Sequence, residues 1–264
     1  MLDEPRIRAG MPVGGLGLPL HVLKSVGSTN DHAAELARRG APHGTLVLAD
    51  EQTAGRGRRG RRWLTPAGSG LAMSLVLRPE QAGPSSAAAW NTLGALAVSE
   101  ALRGLGGQAV VKWPNDVLLG GRKVSGVLAE AAWQGDRMEF LILGIGVNVL
   151  PGSVPPPEEL DFPATSLEAE IGRPVDRHDL VARIIGELAA WAPKAAGDGW
   201  RRAVEERLAY RGQPVLVRDE TGEVRGTLLG LDPDGRLILD TGEGGPRRVG
   251  AGAANVRLID SAPQ

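Results

Sequence analysis

Two short stretches hold the side chains best equipped for chemistry. Gly55-Arg56-Gly57-Arg58-Arg59-Gly60-Arg61-Arg62 places five arginines and three glycines in eight consecutive positions, and Trp63 closes the run. The whole chain balances 30 Lys and Arg against 31 Asp and Glu, so this cationic run is a local device for meeting a local anion. Glycines at 55, 57 and 60 let the backbone turn tightly and bring amide N–H groups close to whatever the arginines hold, as a phosphate-handling loop requires. The second stretch, Lys112-Trp113-Pro114-Asn115-Asp116, is a Pro-Asn-Asp turn flanked by the strand-forming Val110-Val111 and Val117-Leu118-Leu119. Lys112 sits among apolar neighbours, where an unpaired ammonium is costly. It is expected to have a partner anion, the alternative being an edge lysine that snorkels to water.

Other readings compete for each stretch. An arginine run of this kind is commonly solvated surface or a nucleic-acid patch. Its letters also spell the dinucleotide fingerprint G-x-G-x-x-G after a strand-like Thr45 to Asp50. That fingerprint needs a helix opening at its third glycine, and Trp63 to Gly70, with Pro66 and Gly68, cannot supply one. Ser28, Thr29 and Asn30, between a strand expected over His21 to Val26 and a helix stopped by Gly40, read either as helix-capping residues or as hydrogen-bonding groups for a small polar ligand. Glycines at strand positions in Gly144-Ile145-Gly146-Val147-Asn148 suggest that a ligand or another backbone approaches closely there, or serve packing alone.

The elements that must position these groups follow from hydrophobic periodicity. Residues 1 to 18, with glycines at 10, 14, 15 and 17 and prolines at 5 and 12, read as a mobile leader. Leu71 to Leu77 is a buried strand, Ser85 to Leu105 a long alanine-rich helix, and Lys123 to Glu130 pairs with Met138 to Val149 as a hairpin. Pro151 to Pro163 is a proline-rich acidic loop, and helices return over Thr165 to Ile171, Arg177 to Ala190 and Trp200 to Leu208. Past Tyr210 the pattern changes to short strands at Val215 to Val217, Gly226 to Leu231, Leu237 to Leu239 and Asn255 to Ile259, linked by turns and a glycine loop. These make a small β-barrel. The expected organisation is α+β, with one domain over 19 to 210 and a second over 211 to 264.

Composition narrows the function. With 264 residues the chain can bury a substantial core. The absence of cysteine excludes disulfides, thiolate metal sites and thioester chemistry, and the four scattered histidines at 21, 32, 43 and 178 lack ligand spacing. A net charge of -1 argues against bulk affinity for nucleic acid or membrane, and no apolar run approaches the ~20 residues of a membrane helix. A cytoplasmic location is the default.

With Ser28-Thr29-Asn30, Gln52, the loop from Gly55 to Trp63, Lys112 to Asp116, Lys123 to Glu130 and Gly144 to Asn148 occurring in this order, the chain resembles the biotin protein ligases over residues ~20 to 260. The resemblance implies a mixed-sheet catalytic domain of the biotin/lipoate-ligase type over 19 to 210 and a small SH3-like β-barrel over 211 to 264. It also implies two steps: biotin and ATP give biotinyl-5'-adenylate, and a lysine of biotin carboxyl carrier protein then takes the biotinyl group. Carried over by position, Ser28, Thr29, Asn30, Gln52, Gly55, Arg56, Gly57, Arg58, Lys112 and Gly126 form the biotin site. Arg58, Arg61, Trp63, Lys112, Asn115, Asn148 and Arg257 contact the nucleotide, and Lys112 and Arg58 are the catalytic pair. No protein ligand for a metal is identified; Mg²⁺ is expected to arrive with ATP, held by phosphates and water. The ~20 residues before the first strand are too few for the three-helix DNA-binding domain of some relatives, so no repressor role is expected. A homodimer is compatible with the resemblance. The rivals are a lipoate ligase, which shares fold and adenylation, and a nucleic-acid-binding module using Arg56 to Arg62 as a phosphate clamp.

Overall fold

The computed structural model describes residues 1–12, 15–78, 87–219, 222–242, 245–252 and 255–259. The first part runs α1 (Glu4–Gly10), β1 (Leu20–Leu23), α2 (Thr29–Arg38), β2 (Leu46–Ala49), β3 (Gly70–Leu77), α3 (Ala87–Arg103), β4 (Val110–Lys112), β5 (Asp116–Leu119), β6 (Arg122–Gln134), β7 (Arg137–Asn148), α4 (Leu167–Ile171), α5 (Arg177–Trp191) and α6 (Gly199–Arg207). Its strands form one seven-stranded sheet in the order β1-β2-β3-β7-β6-β5-β4. Only β1 and β2 are parallel, with α2 as their crossover; all other ladders are antiparallel.

Strand alternation decides what each face carries. Leu71, Met73, Leu75 and Leu77 of β3 and Leu141, Leu143, Ile145 and Val147 of β7 enter the large core shared with α3 and α5. Val76, Phe140 and Ile142 point the other way and pack beneath Ala33 and Ala37 of α2. Further along that second face the apolar residues stop. The paired positions there are Ser74 with Gly144, Ala72 with Gly146, and Gly70 with Asn148, so α2 covers half a sheet and the other half lies under a hollow.

The remaining strands, β8 (Pro214–Asp219), β9 (Gly222–Leu231), β10 (Leu237–Asp240), β11 (Pro246–Val249) and β12 (Asn255–Leu258), form a five-stranded antiparallel sheet in the order β11-β10-β9-β8-β12. Among the described residues no ladder joins β11 to β12, so hydrogen bonds do not close the expected barrel. β11 also corrects the reading of this region as a glycine loop: Pro246 to Val249 carries three exposed positions and one buried, too faint an alternation to register as a strand.

The leader is a second correction. Asp3 caps α1 by accepting from the Arg6 N–H at 2.8 Å, Pro5 stands in the first turn where its missing donor costs nothing, and Ile7 is fully buried, with Leu2 and Leu16 also in the core. Burying Ile7 alone contributes on the order of 2 kcal/mol, which anchors a segment that its glycine and proline count had marked as mobile. The expected start of the long helix at Ser85 lies outside the described residues.

Candidate active site

The hollow on the second face is a cavity of about 410 Å³. Its floor is glycine because nothing larger fits. A Cβ at Gly144 would stand 2.1 Å from the Asn30 Oδ1, and one at Gly146 would stand 2.3 Å from the Trp63 indole. Side chains from α2 and from the arginine loop thereby lie flat on the strands.

One end of the cavity is polar and uncharged. Ser28 has the extended backbone of an N-cap yet its hydroxyl makes no capping bond. Gln52 does that work instead: its Oε1 accepts from the Thr29 N–H at 2.8 Å and the Thr29 hydroxyl at 3.0 Å. The segment therefore begins the helix while Ser28 lines the cavity. Asn30 is oriented from below, where the buried Ser74 hydroxyl donates to its Oδ1 at 2.6 Å.

The other end is cationic. Lys112, Asp116, Gly126 and Gly146 are successive register partners across β4, β5, β6 and β7, so one rung of the sheet runs from the lysine to the glycine floor. Lys112 is buried, at 6% exposure, with its Nζ 3.9 Å from Asp116 Oδ2 and 4.5 Å from the Phe162 ring centroid. Burial pushes its pKa below the ordinary lysine range, and Asp116 only partly opposes this. Lys123 joins it through a register shift in β6: Val124 and Val127, three apart, both enter the core, which leaves Lys123 and Gly126 on the cavity face. Its Nζ lies 2.6 Å from Asp116 Oδ1 and 5.5 Å from the Trp63 ring centroid. A single carboxylate thus faces two ammonium groups, and the surplus positive charge has no protein counter-ion within the pair.

Arg58 completes this end. Its guanidinium donates to Asn115 Oδ1 at 3.2 Å and to the carbonyls of Ala251 and Gly252, and burial lowers its pKa. Arg61, Trp63 and Asn148 also line the cavity, Asn148 while donating to the Thr165 carbonyl at 3.2 Å. Arg56 is different. It reaches the cavity wall, but its guanidinium is held by Asp31 at 2.6 Å and Glu130 at 3.2 Å, which raises its pKa chiefly through the Asp31 hydrogen bond. It is therefore an anchor of the loop as well as part of the cavity wall.

Of the residues expected from sequence, the structure brings together Ser28, Thr29, Asn30, Gln52, Arg56, Gly57, Arg58, Arg61, Trp63, Lys112, Asn115, Gly126 and Asn148 around this one cavity. Gly55 and Arg257 do not line it. Gly55 is buried under the loop, where a Cβ would fall 2.3 Å from the Trp63 carbonyl, and Arg257 extends along the surface to donate to the Asp161 carbonyl at 3.3 Å. Lys123, Asp116, Phe162 and Asn255 line the cavity and had not been assigned to it. The signal for Lys123 was its place three residues before Gly126, but only the bulge turns it to this face. Among the described residues no group of three His, Asp or Glu side chains could hold a metal ion, and no helix is long and apolar enough to cross a membrane.

Most of this sheet falls within a stretch that a ligase family matches. The biotin/lipoate A/B protein ligase family matches residues 22–148, and the biotin protein ligase C-terminal domain matches residues 211–254. The biotin–[acetyl-CoA-carboxylase] ligase of Paracoccus denitrificans is 39% identical over 233 residues, covering 83% of this chain and 92% of that protein. The bifunctional ligase/repressor BirA of Bacillus subtilis is 37% identical over 250 residues, covering 92% and 76%. The solved structure of Aquifex aeolicus biotin protein ligase in complex with biotin and ATP superposes with a TM-score of 0.77 at 33% identity, covering 91% of this chain and 99% of that one. The chain belongs to the biotin protein ligase family.

Proposed function

We propose that this protein activates biotin with ATP and transfers it to a lysine of biotin carboxyl carrier protein. A biotin carboxylate oxygen attacks the α-phosphate, forming a C–O–P bond as pyrophosphate leaves; the carrier lysine amine then attacks the acyl carbon, an amide forms and AMP departs. The observation that carries the reading is the division of one cavity into an uncharged, hydrogen-bonding end and a buried cationic end, in a chain whose relatives are named for this reaction.

Each end suits one part of the substrate. Ser28, Thr29, Asn30 and Gln52 offer hydroxyl and amide groups to the ureido ring, and Gly126 and Gly144 give the floor room for it. Lys112 meets the carboxylate and α-phosphate where two anions must be brought together, with Lys123 beside it. Charge placed there before the reaction, in a site shielded from water, lowers the barrier without reorganisation. Arg58 and Arg61 reach the phosphates, and Trp63, Asn115 and Asn148 the nucleoside. Mg²⁺ fits as a companion of ATP rather than a resident ion, because the carboxylates at the cationic end are already engaged, Asp116 by Lys123 and Asp161 by Arg61. We assign catalysis to residues 19 to 210, nucleotide closure to the module from 211, and action in the cytoplasm, where ATP is supplied.

Isotope exchange between pyrophosphate and ATP tests the assignment. It is expected with biotin and not with lipoate; exchange supported only by lipoate would overturn it.

A further inference from the structure

Glu130 stands on the cavity face of β6, opposite Ile142 and two residues beyond Leu128. It is engaged from two sides. Its Oε2 accepts from Asn30 Nδ2 at 2.6 Å, and both its oxygens lie 3.2 Å from Arg56 Nη2. Asn30 is the residue oriented by Ser74 at the uncharged end, while Arg56 is the root of a small hairpin: it bridges to Arg62, the Gly57 N–H donates to the Arg61 carbonyl, and the Trp63 N–H donates to the Gly55 carbonyl at 2.9 Å. Fixing Arg56 therefore fixes the hairpin whose tip carries Arg58 toward Asn115. Asp31 holds the other nitrogen of Arg56 at 2.6 Å, so the anchor is a triad of two carboxylates and one guanidinium.

We infer that Glu130 is a positioning residue that ties the uncharged end of the cavity to the seating of the arginine loop. The inference rests on the reading of that end as the biotin ring site. A ring that meets Asn30 loads an amide whose Nδ2 is held by Glu130, and Glu130 passes the load to Arg56. Arg56 and Glu130 each keep 41% of their side-chain surface exposed. A pair so placed contributes little to the stability of the fold, and its effect falls on the loop.

Glu130→Gln keeps the size and an acceptor for Asn30 but removes the charge that Arg56 meets. In the ligand-free protein, tryptic cutting within residues 56 to 62 is expected to rise about fivefold over wild type, with the melting temperature unchanged. In exchange assays the KM for biotin is expected to rise by a similar factor while kcat is retained, a split that a merely structural role would not produce. In an Arg56→Gln background, Glu130→Gln should add nothing further. Equal cutting of wild type and Glu130→Gln, or additive effects in the double variant, would overturn the inference. Absence of biotin-dependent exchange in the wild type would overturn the functional reading on which its ligand half rests, while the ligand-free cutting rates still decide the anchor itself.

Discussion

The two ends of the cavity are built on the same sheet by opposite means. The uncharged end is made by subtraction: Gly144 and Gly146 remove side chains from β7 so that Asn30 and Trp63 can lie against bare backbone. The cationic end is made by burial: Lys112 is placed on the rung of Gly126 and Gly146 and deprived of water, with one carboxylate shared between it and Lys123. Charge alone does not distinguish the second end, since the arginine loop carries more of it. Arg59, Arg61 and Arg62 are exposed and Arg56 is neutralised by carboxylates, so solvent and counter-ions screen most of the loop. A cation acts strongly where water has been removed, and in this protein the deepest such cation is Lys112.

The contrast is broken most severely at the cationic end. Lys112→Ala is expected to lower biotin-dependent pyrophosphate exchange by about 10²- to 10³-fold, comparable to deleting a preorganised oxyanion donor. The fold should survive, because the substitution relieves a buried charge. Retention of wild-type exchange would remove Lys112 from the chemistry and leave Lys123 and Arg58 to account for it.

At the uncharged end the expected damage is to binding. Gly144→Ala puts a methyl group where Asn30 Oδ1 now lies, and overpacking of this kind costs about 1–3 kcal/mol. The KM for biotin should rise ~10- to 100-fold with a smaller change in kcat, because the reacting groups are untouched. A matched fall in kcat with KM preserved would show that the two ends do not divide the work in this way.

Titration probes the cationic end through Lys112. Burial holds the Lys112 pKa in the folded protein below its ordinary value, so exchange should decline with rising pH earlier than an exposed lysine would dictate. The sign for stability is the reverse: the unfolded chain binds this proton more readily, so the group's cost to stability is full below the folded pKa and fades as pH rises toward the unfolded one. Asp116 is the group that raises the Lys112 pKa. Asp116→Asn should therefore move the alkaline limb of exchange to lower pH, since the opposing charge is lost. A limb that stays in place would assign it to another group.

What could be read from the sequence was whatever local chemistry determines. The hairpin at Gln134 to Asp136, the glycines at 144 and 146, the buried lysine and the polar triad at 28 to 30 each state their own geometry. Lys123 was hidden because its direction depends on a register shift between β5 and β6, a property of two strands rather than of one. The anchoring of Arg56 was hidden because its partners, Asp31 and Glu130, lie 25 and 74 residues away. The α1 helix escaped notice because seven residues carry too little periodicity, and its stability comes from burying Ile7 while the helix packs on α5.

Arg257 gives the smallest expected effect and the sharpest test of where the cavity stops. It was expected to reach the nucleotide from the C-terminal module, yet its side chain is exposed and its described hydrogen bond is to the Asp161 carbonyl. Its positive charge still acts at a distance, since it is among the groups that depress the Lys112 pKa. Across solvent such a charge is screened, and a surface hydrogen bond to one carbonyl contributes at most about 1 kcal/mol. Arg257→Ala should therefore change the KM for ATP by no more than ~3-fold at 0.15 M salt, with a slight upward movement of the alkaline limb as one like charge leaves. A loss as large as that of Lys112→Ala would mean that the C-terminal module moves Arg257 into the cavity when ATP binds, and the boundary between the cationic end and the surface would have to be redrawn around it.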